Sequence, residues 1–317
     1  MGTRILGWGS ALPPKTITNA DLVKRLDTSD EWIVTRTGIR ERHIGDSTAE
    51  LATAAGRAAL QHAGVDPESI DLLILCTTTP DQHVPASSAR VHEELGLRGG
   101  AFDVNGACAG FVYGMVTSEG LLSAGAKRIL LIGAETLSRI TDWEDRNTAV
   151  LFGDGGGAVV LEHTDDASQL IAWDLGADGT ARSILYADIG DNMKMDGPEV
   201  FKRAVRVVVD SATRVLEKSG TRAEDIRLLV PHQANVRIIK AACTRLGVPM
   251  ERAAIVLDRT GNTSSASIPL ALVDAVEKGR VDEGDLVLLS GFGAGMTWGS
   301  ALLRWGAARP GATEASS

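Results

Sequence analysis

Apolar residues recur along the chain with two alternating periods. STAELATAAGRAALQHAG, 47–64, repeats them at helical spacing and stops at Gly64. IDLLILCTTT, 70–79, is a near-continuous apolar run of strand length, the pattern of a strand buried on both faces. Helix is predicted again over 84–96 and 107–125, and strand over 101–105, 128–135 and 158–163. The second half repeats this plan. PEVFKRAVRVVVDSATRVLEKSG, 198–220, matches the helix that ends at Gly64. EDIRLLVPHQAN matches ESIDLLILCTTT and places His232 opposite Cys76. IVLDRTGN, 255–262, matches AFDVNGA as a strand, with Gly261 on Gly106 and Asn262 opposite Ala107. GDLVLLSGFG, 284–293, matches AKRILLIGAE. The pattern therefore predicts two β/α halves, 1–170 and 171–317, parted in the polar segment near 163–180. Two such halves related by a pseudo-twofold would bring equivalent strand ends to one central site.

Composition narrows the class. The chain has 317 residues, 44% hydrophobic and 23% charged, enough for a sizeable core. A net charge of −9 argues against general nucleic-acid binding. A local basic cluster would still serve an anionic ligand. Three cysteines without zinc-type spacing make neither a disulfide framework nor a metal site. MGTRILGWGSALPP lacks a signal-peptide apolar region, and no run of about 18 apolar residues offers a membrane span. The expectation is a cytoplasmic protein with no nucleic-acid or membrane partner. The polar tail GAARPGATEASS is expected to fray.

Cys108 sits in FDVNGACAGF, where a strand gives way to a helix. Unpaired N–H groups and the dipole at a helix head favour a thiolate. An effect of about 0.3–1 kcal/mol, at most about 2, lowers a thiol pKa by roughly one unit, which predicts a mixed thiol and thiolate population near pH 7. A small buried hydrophobe is the alternative for Cys108, and is preferred for Cys76 and Cys243. His232 follows a buried strand, and Asn262 lies in RTGNTSSAS, where a turn or cap asparagine is the plain alternative. GDGGGAVV and GFGAGMTWG resemble phosphate loops but lead into strands rather than helices, so they are read as tight backbone passages. Trp32 and Arg36, spaced i, i+4, suit stacking on a purine beside a phosphate, or packing on each other.

DEWIVTRTGIRERHI, DVNGACAGF, FGDGGGAVV, VPHQANVRII, LDRTGNTSSASIP and GFGAGMTWGSAL, in this order, resemble the motifs of β-ketoacyl-[acyl-carrier-protein] synthase III from about residue 3 to 305. The resemblance implies an α/β thiolase-like fold, two βαβαβαββ halves in a five-layered α/β/α/β/α core, and a homodimer. It implies the first condensation of type II fatty acid synthesis. A short acyl-CoA acylates Cys108, and malonyl-ACP (ACP, the acyl carrier protein) then decarboxylates and condenses to a 3-ketoacyl-ACP. By motif, His232 and Asn262 serve the malonyl thioester carbonyl. Trp32, Arg36 and Arg146 hold the CoA adenine and phosphate, and Gly197, Asn235 and Phe292 line the pantetheine path. The backbone N–H groups of Cys108 and Ala294 form the oxyanion site, with alanine where the family often has glycine. Arg237, Lys202, Lys240 and Arg245 dock the acidic carrier. CoA is a substrate, so neither cofactor nor metal is implied. Against the family pattern, 174–194 is short and Val84 with TTTPDQHV differs where the acyl pocket closes, so primer length and branching stay open. A related enzyme that primes a polyketide or another specialised acyl pathway is the main alternative. A degradative or biosynthetic thiolase would need a second cysteine near the C-terminal glycine loop, which GFGAGM lacks. A non-catalytic subunit would not need the whole cysteine, histidine and asparagine set.

Overall fold

Along the inner strands, successive side chains alternate between two cores, and this alternation builds the layers. The computed structural model describes residues 2–45 and 47–306. The tail expected to fray lies outside the described residues from position 307 on. In chain order the first half runs β1 Gly2–Ala11, β2 Lys15–Thr18, α1 Asn19–Val23, α2 Asp30–Thr37, β3 Glu41–Ile44, α3 Thr48–Ala63, β4 Leu72–Cys76, α4 Ser87–Leu95, β5 Gly100–Val104, α5 Gly110–Ser123, β6 Arg128–Thr136 and β7 Asp154–Thr164. The second runs β8 Leu170–Ala177, β9 Leu185–Tyr186, β10 Lys194–Met195, α6 Gly197–Ser219, β11 Ile226–Pro231, α7 Val236–Leu246, α8 Leu257–Thr260, α9 Ser267–Glu277, β12 Leu286–Gly293 and β13 Thr297–Arg304.

One sheet has the order β1-β7-β6-β4-β5, the other β11-β12-β13-β8. Strands β4, β5 and β6 are parallel, as are β11 and β12, while β7 and β13 run antiparallel to their neighbours. In the first sheet Leu73, Leu75, Leu130, Ile132 and Val160 pack outward with α3 and α4. Ile74, Ile129, Leu131 and Val159 pack inward with α5 and α9. Leu228, Val230, Val287 and Leu289 reach the same inner core from the second sheet. Leu229, Leu288 and Leu302 pack outward with α6 and α7. The result is the expected five-layered, thiolase-like α/β/α/β/α stack.

Glycines set how closely helices approach the sheets. A Cβ on Gly9 would lie 2.4 Å from the backbone nitrogen of Ala59, so β1 and the alanine-rich face of α3 touch through backbone. The GDGGG run is itself strand, the start of β7. A Cβ on Gly156 would meet the Leu51 carbonyl at 2.8 Å and one on Gly157 would meet Pro269 at 2.8 Å, so helices crowd both faces. These are the tight passages expected, not phosphate loops.

Two readings of the repeat need correction. Residues 255–262 do not form a strand. The counterpart of edge strand β5 is reduced to one bridge between Ala253 and Leu229, and Leu257–Thr260 are helical. The register also moves by two residues. Short 3-10 turns at Ala107–Ala109 and Ser264–Ala266 lead into α5 and α9, so Asn262 matches Asn105 and Ser265 matches Cys108. Both turns have positive φ at the same place, 49° at Ala107 and 46° at Ser264. Aligning on Gly261 misses this, because the helical detour changes the spacing ahead of the turn. The match of His232 to Cys76 agrees with the strand registers, since Leu72 pairs Ile129 where Leu228 pairs Val287.

Replacing Gly9 by Ala forces β1 and α3 apart and is expected to destabilise by about 1–3 kcal/mol in urea unfolding. Gly120, an exposed position inside α5 with open space around it, is the contrast. Gly120→Ala is expected to stabilise by about 0.5–1 kcal/mol.

Candidate active site

The ends of the inner strands from both halves open on one cavity of about 1060 Å³. Cys108, His232 and Asn262 all line it. So do Trp32, Arg36, Gly197, Asn235, Arg237, Phe292 and Ala294.

Cys108 is held in the turn that opens α5. Asn105 Oδ1 accepts the N–H of Ala107 at 3.2 Å, closing an Asx turn just before the thiol. The turn presses against β12, where a Cβ on Gly293 would lie 2.4 Å from the Cys108 nitrogen. Only glycine admits this approach. Cys108 is half-buried, with its side chain at the cavity wall. Burial pushes its thiol up to about 12 and the nearby Glu135 charge adds to that, while a hydrogen bond from Ser264 opposes it. The expected enrichment of thiolate is therefore corrected. Desolvation at the cavity wall outweighs the helix head and favours the thiol form.

His232 follows β11 and is almost fully buried. Its Nδ1 lies 2.7 Å from Ser267 Oγ, and Phe292 meets the ring edge-on at 5.3 Å between centroids. Burial pushes the imidazole down to about 3, so the ring is neutral at pH 7. Asn262 is fixed by its backbone, which donates to Leu151 O at 2.8 Å and accepts from Gly153 N–H at 3.0 Å. Its Oδ1 accepts the Ser264 N–H at 2.9 Å, which leaves Nδ2 as the free donor.

Toward the mouth, the Trp32 ring carries the guanidinium groups of Arg36 at 4.6 Å and Arg146 at 4.9 Å. The packing of indole on its own helical neighbour thus coexists with a position on the cavity wall. Arg146, outside the lining, also donates to Asp27 O at 2.9 Å. Asn235 caps α7, accepting from the Arg237 N–H at 2.8 Å. Arg237 lies over the Phe201 ring at 5.3 Å. Lys202, Lys240 and Arg245 do not line the cavity; they are exposed on α6 and α7 outside it. The short 174–194 segment supplies part of the rim, with Arg182, Tyr186 and Met193 on the lining. Val84 is 86% exposed and outside the cavity, whereas Thr78 of the same stretch lines it.

Sequence reasoning pointed to the stretch that holds Thr78 but missed Arg182 and Ser264 on the lining and Ser267 behind His232. For Ser264 and Ser267, the repeat read in its true register would have been the signal. Nothing in the pattern marks Arg182.

Fold and cavity together define an acyltransferase of the thiolase-like condensing class. The family model for 3-oxoacyl-[acyl-carrier-protein] synthase III matches residues 102–179, and its C-terminal model matches residues 216–305. The chain belongs to the β-ketoacyl-[acyl-carrier-protein] synthase III family. It is 49% identical over 311 residues to the β-ketoacyl-[acyl-carrier-protein] synthase III of Geobacillus kaustophilus, covering 96% of this chain and all of that one. The crystal structure of 3-oxoacyl-[acyl-carrier-protein] synthase III from Aquifex aeolicus superposes with a TM-score of 0.94 at 45% identity, covering 96% of this chain and all of the other. The priming β-ketosynthase of the R1128 polyketide pathway superposes with a TM-score of 0.91 at 37% identity, covering 98% of this chain and 97% of that one. Among the described residues no helix is long and apolar enough to cross a membrane.

The depressed His232 pKa has a testable sign. The unfolded chain takes a proton below about pH 6.5 and the folded chain does not, so stability is lost as pH falls from there toward 3. The slope from this one group is at most about 1.4 kcal/mol per pH unit. Urea unfolding of the wild type and His232→Gln at pH 7.5, 6 and 5 is expected to show the wild type losing ground on the variant at each step down.

Proposed function

We propose that this chain catalyses the initiating condensation of type II fatty acid synthesis, with a short acyl-CoA as primer and malonyl-ACP as extender. The observation that carries the reading is the convergence of a thiol from one half with a neutral histidine and an asparagine from the other on one cavity.

Acyl-CoA enters past Trp32, Arg36 and Arg146, whose indole and guanidinium groups suit an adenine and phosphates. The pantetheine arm runs by Gly197, Asn235 and Phe292. Cys108 attacks the thioester carbonyl, and the oxyanion forms against the N–H groups of Cys108 and Ala294. The C–S bond to CoA breaks, and the proton lost by Cys108 ends on the CoA sulfur. A thiol at rest suits this exchange, because proton and acyl group move in opposite directions with no net charge created.

Malonyl-ACP follows, its acidic carrier held by Arg237, Lys202, Lys240 and Arg245. The bond to the malonyl carboxylate breaks, CO2 leaves, and the electron pair moves toward the thioester oxygen. Asn262 Nδ2–H and a ring N–H of His232 donate to that oxygen. A histidine that stays neutral acts as a donor and takes up no proton. The enolate carbon attacks the acyl carbonyl, the C–S bond to Cys108 breaks, and the released thiolate takes up a proton from solvent. No step uses a resident cofactor or metal. We place the enzyme in the cytosol as a homodimer. Strand β5 pairs on one side only among the described residues, which leaves an edge suited to a second copy. Priming of a polyketide by the same chemistry is the second reading. The R1128 match speaks for it, at lower identity than the Geobacillus kaustophilus and Aquifex aeolicus relatives.

Intact-protein mass after incubation with a panel of acyl-CoAs tests the assignment. The wild type is expected to gain one acyl group and lose it to malonyl-ACP as 3-ketoacyl-ACP appears. Cys108→Ala is expected to gain none, and His232→Ala to gain the acyl group but turn over malonyl-ACP about 10²–10³-fold more slowly. Acylation of Cys108→Ala would refute the nucleophile. Stable acyl-enzyme with no transfer to malonyl-ACP would favour the specialised pathway.

A further inference from the structure

Ser267 is the first residue of α9 and is fully buried. Its hydroxyl lies 2.7 Å from Nδ1 of His232, its one side-chain partner among the described residues. The proton count then restricts the pair. If Nδ1 carried the ring proton, Ser267 Oγ would accept it and the hydroxyl proton would be buried without an acceptor. If Ser267 donates, Nδ1 accepts and the ring proton sits on Nε2, the other side of the ring. Burial that keeps the imidazole neutral makes this choice consequential, because a neutral ring has a single N–H.

The duplicated half offers an internal comparison. Ser267 corresponds to Gly110, two positions after Cys108, and His232 corresponds to Cys76. A Cβ built on Gly110 would stand 3.5 Å from the Cys76 Cβ, an ordinary apolar contact. The same position holds a hydroxyl only in the half where a histidine faces it.

We propose that Ser267 is a positioning residue that locks His232 in the Nε2–H tautomer, so that the donor for the malonyl thioester oxygen is in place before substrate arrives. This rests on the donor role proposed for His232. It goes further in assigning the cause of the ring's tautomer to one hydroxyl.

The test combines a spectroscopic and a kinetic readout. The protein is labelled with ¹⁵N-histidine, and the His232 ring signals are identified by their loss in His232→Gln. Long-range ¹H–¹⁵N spectra at pH 7.5 are expected to show the Nε2–H form in the wild type. In Ser267→Ala the Nδ1–H form is expected to appear. CO2 release from malonyl-ACP is expected to fall about 10–100-fold, with the loss on the malonyl half-reaction rather than on acyl transfer to the thiol. Ser267→Thr, which keeps the hydroxyl, is expected to restore both. An Nδ1–H tautomer in the wild type would overturn the proposal, as would a Ser267→Ala variant with unchanged tautomer and unchanged CO2 release. Should Ser267→Ala not fold, the wild-type tautomer together with Ser267→Thr decides the matter. A wild type that shows Nε2–H but releases no CO2 would leave the tautomer assignment standing and refute the proposed function instead.

Discussion

Each half presses the turn at the head of its inner helix against a glycine-bearing central strand of the other half. A Cβ on Gly291 of β12 would stand 3.3 Å from the Cys108 carbonyl, and one on Gly293 would be 2.4 Å from its nitrogen. In the mirrored contact, a Cβ on Gly133 of β6 would stand 2.4 Å from the Ser265 carbonyl. Backbone meets backbone at these points, so a side chain at Gly293 or Gly133 would push turn and sheet apart. The cavity exists because the halves interlock here. Its wall takes a thiol from the first turn and a histidine and an asparagine from the strand end and turn of the second.

The duplication gives two equivalent turns, of which one opens on the cavity and the other is closed by hydrogen bonds. The partners equivalent to Cys108 and His232 are Ser265 and Cys76, and they are spent on each other. Ser265 Oγ donates to the Cys76 carbonyl at 2.7 Å and contacts Glu135 at 2.8 Å. Glu135, buried at the end of β6, also accepts from Thr77, Thr78 and Thr79. Where the turn of Cys108 meets Gly293 of β12 and an open cavity, the turn of Ser265 meets Glu135 of β6, a carboxylate saturated with donors. The same arrangement explains part of the thiol's environment, since the Glu135 charge raises the Cys108 pKa.

Much of this was legible in the chain. Two runs of alternating helical and apolar patterns predicted the halves, and the small residues around Cys108 marked a strand-to-helix turn open to substrate. His232 was placed correctly because strand registers are preserved in the repeat. Asn262 was misaligned because a four-residue helix replaces the edge strand, and local pattern cannot reveal that a strand has lost its pairing. The thiol's raised pKa was also out of reach. It depends first on desolvation and then on the Glu135 charge, both set by tertiary contacts far apart in sequence. Arg182 carries no pattern of its own; only the folded chain brings it to the rim.

We propose that the two halves divide the chemistry, the first accepting the acyl group and the second generating the enolate. Malonyl-ACP labelled with ¹³C in its free carboxylate, given to Cys108→Ala, tests it most directly. With His232 and Asn262 intact, the variant is expected to release labelled CO2 and leave acetyl-ACP, with no 3-ketoacyl product. Absence of CO2 from this variant, alongside release by the wild type without primer, would show that decarboxylation needs the thiol and would contradict the division.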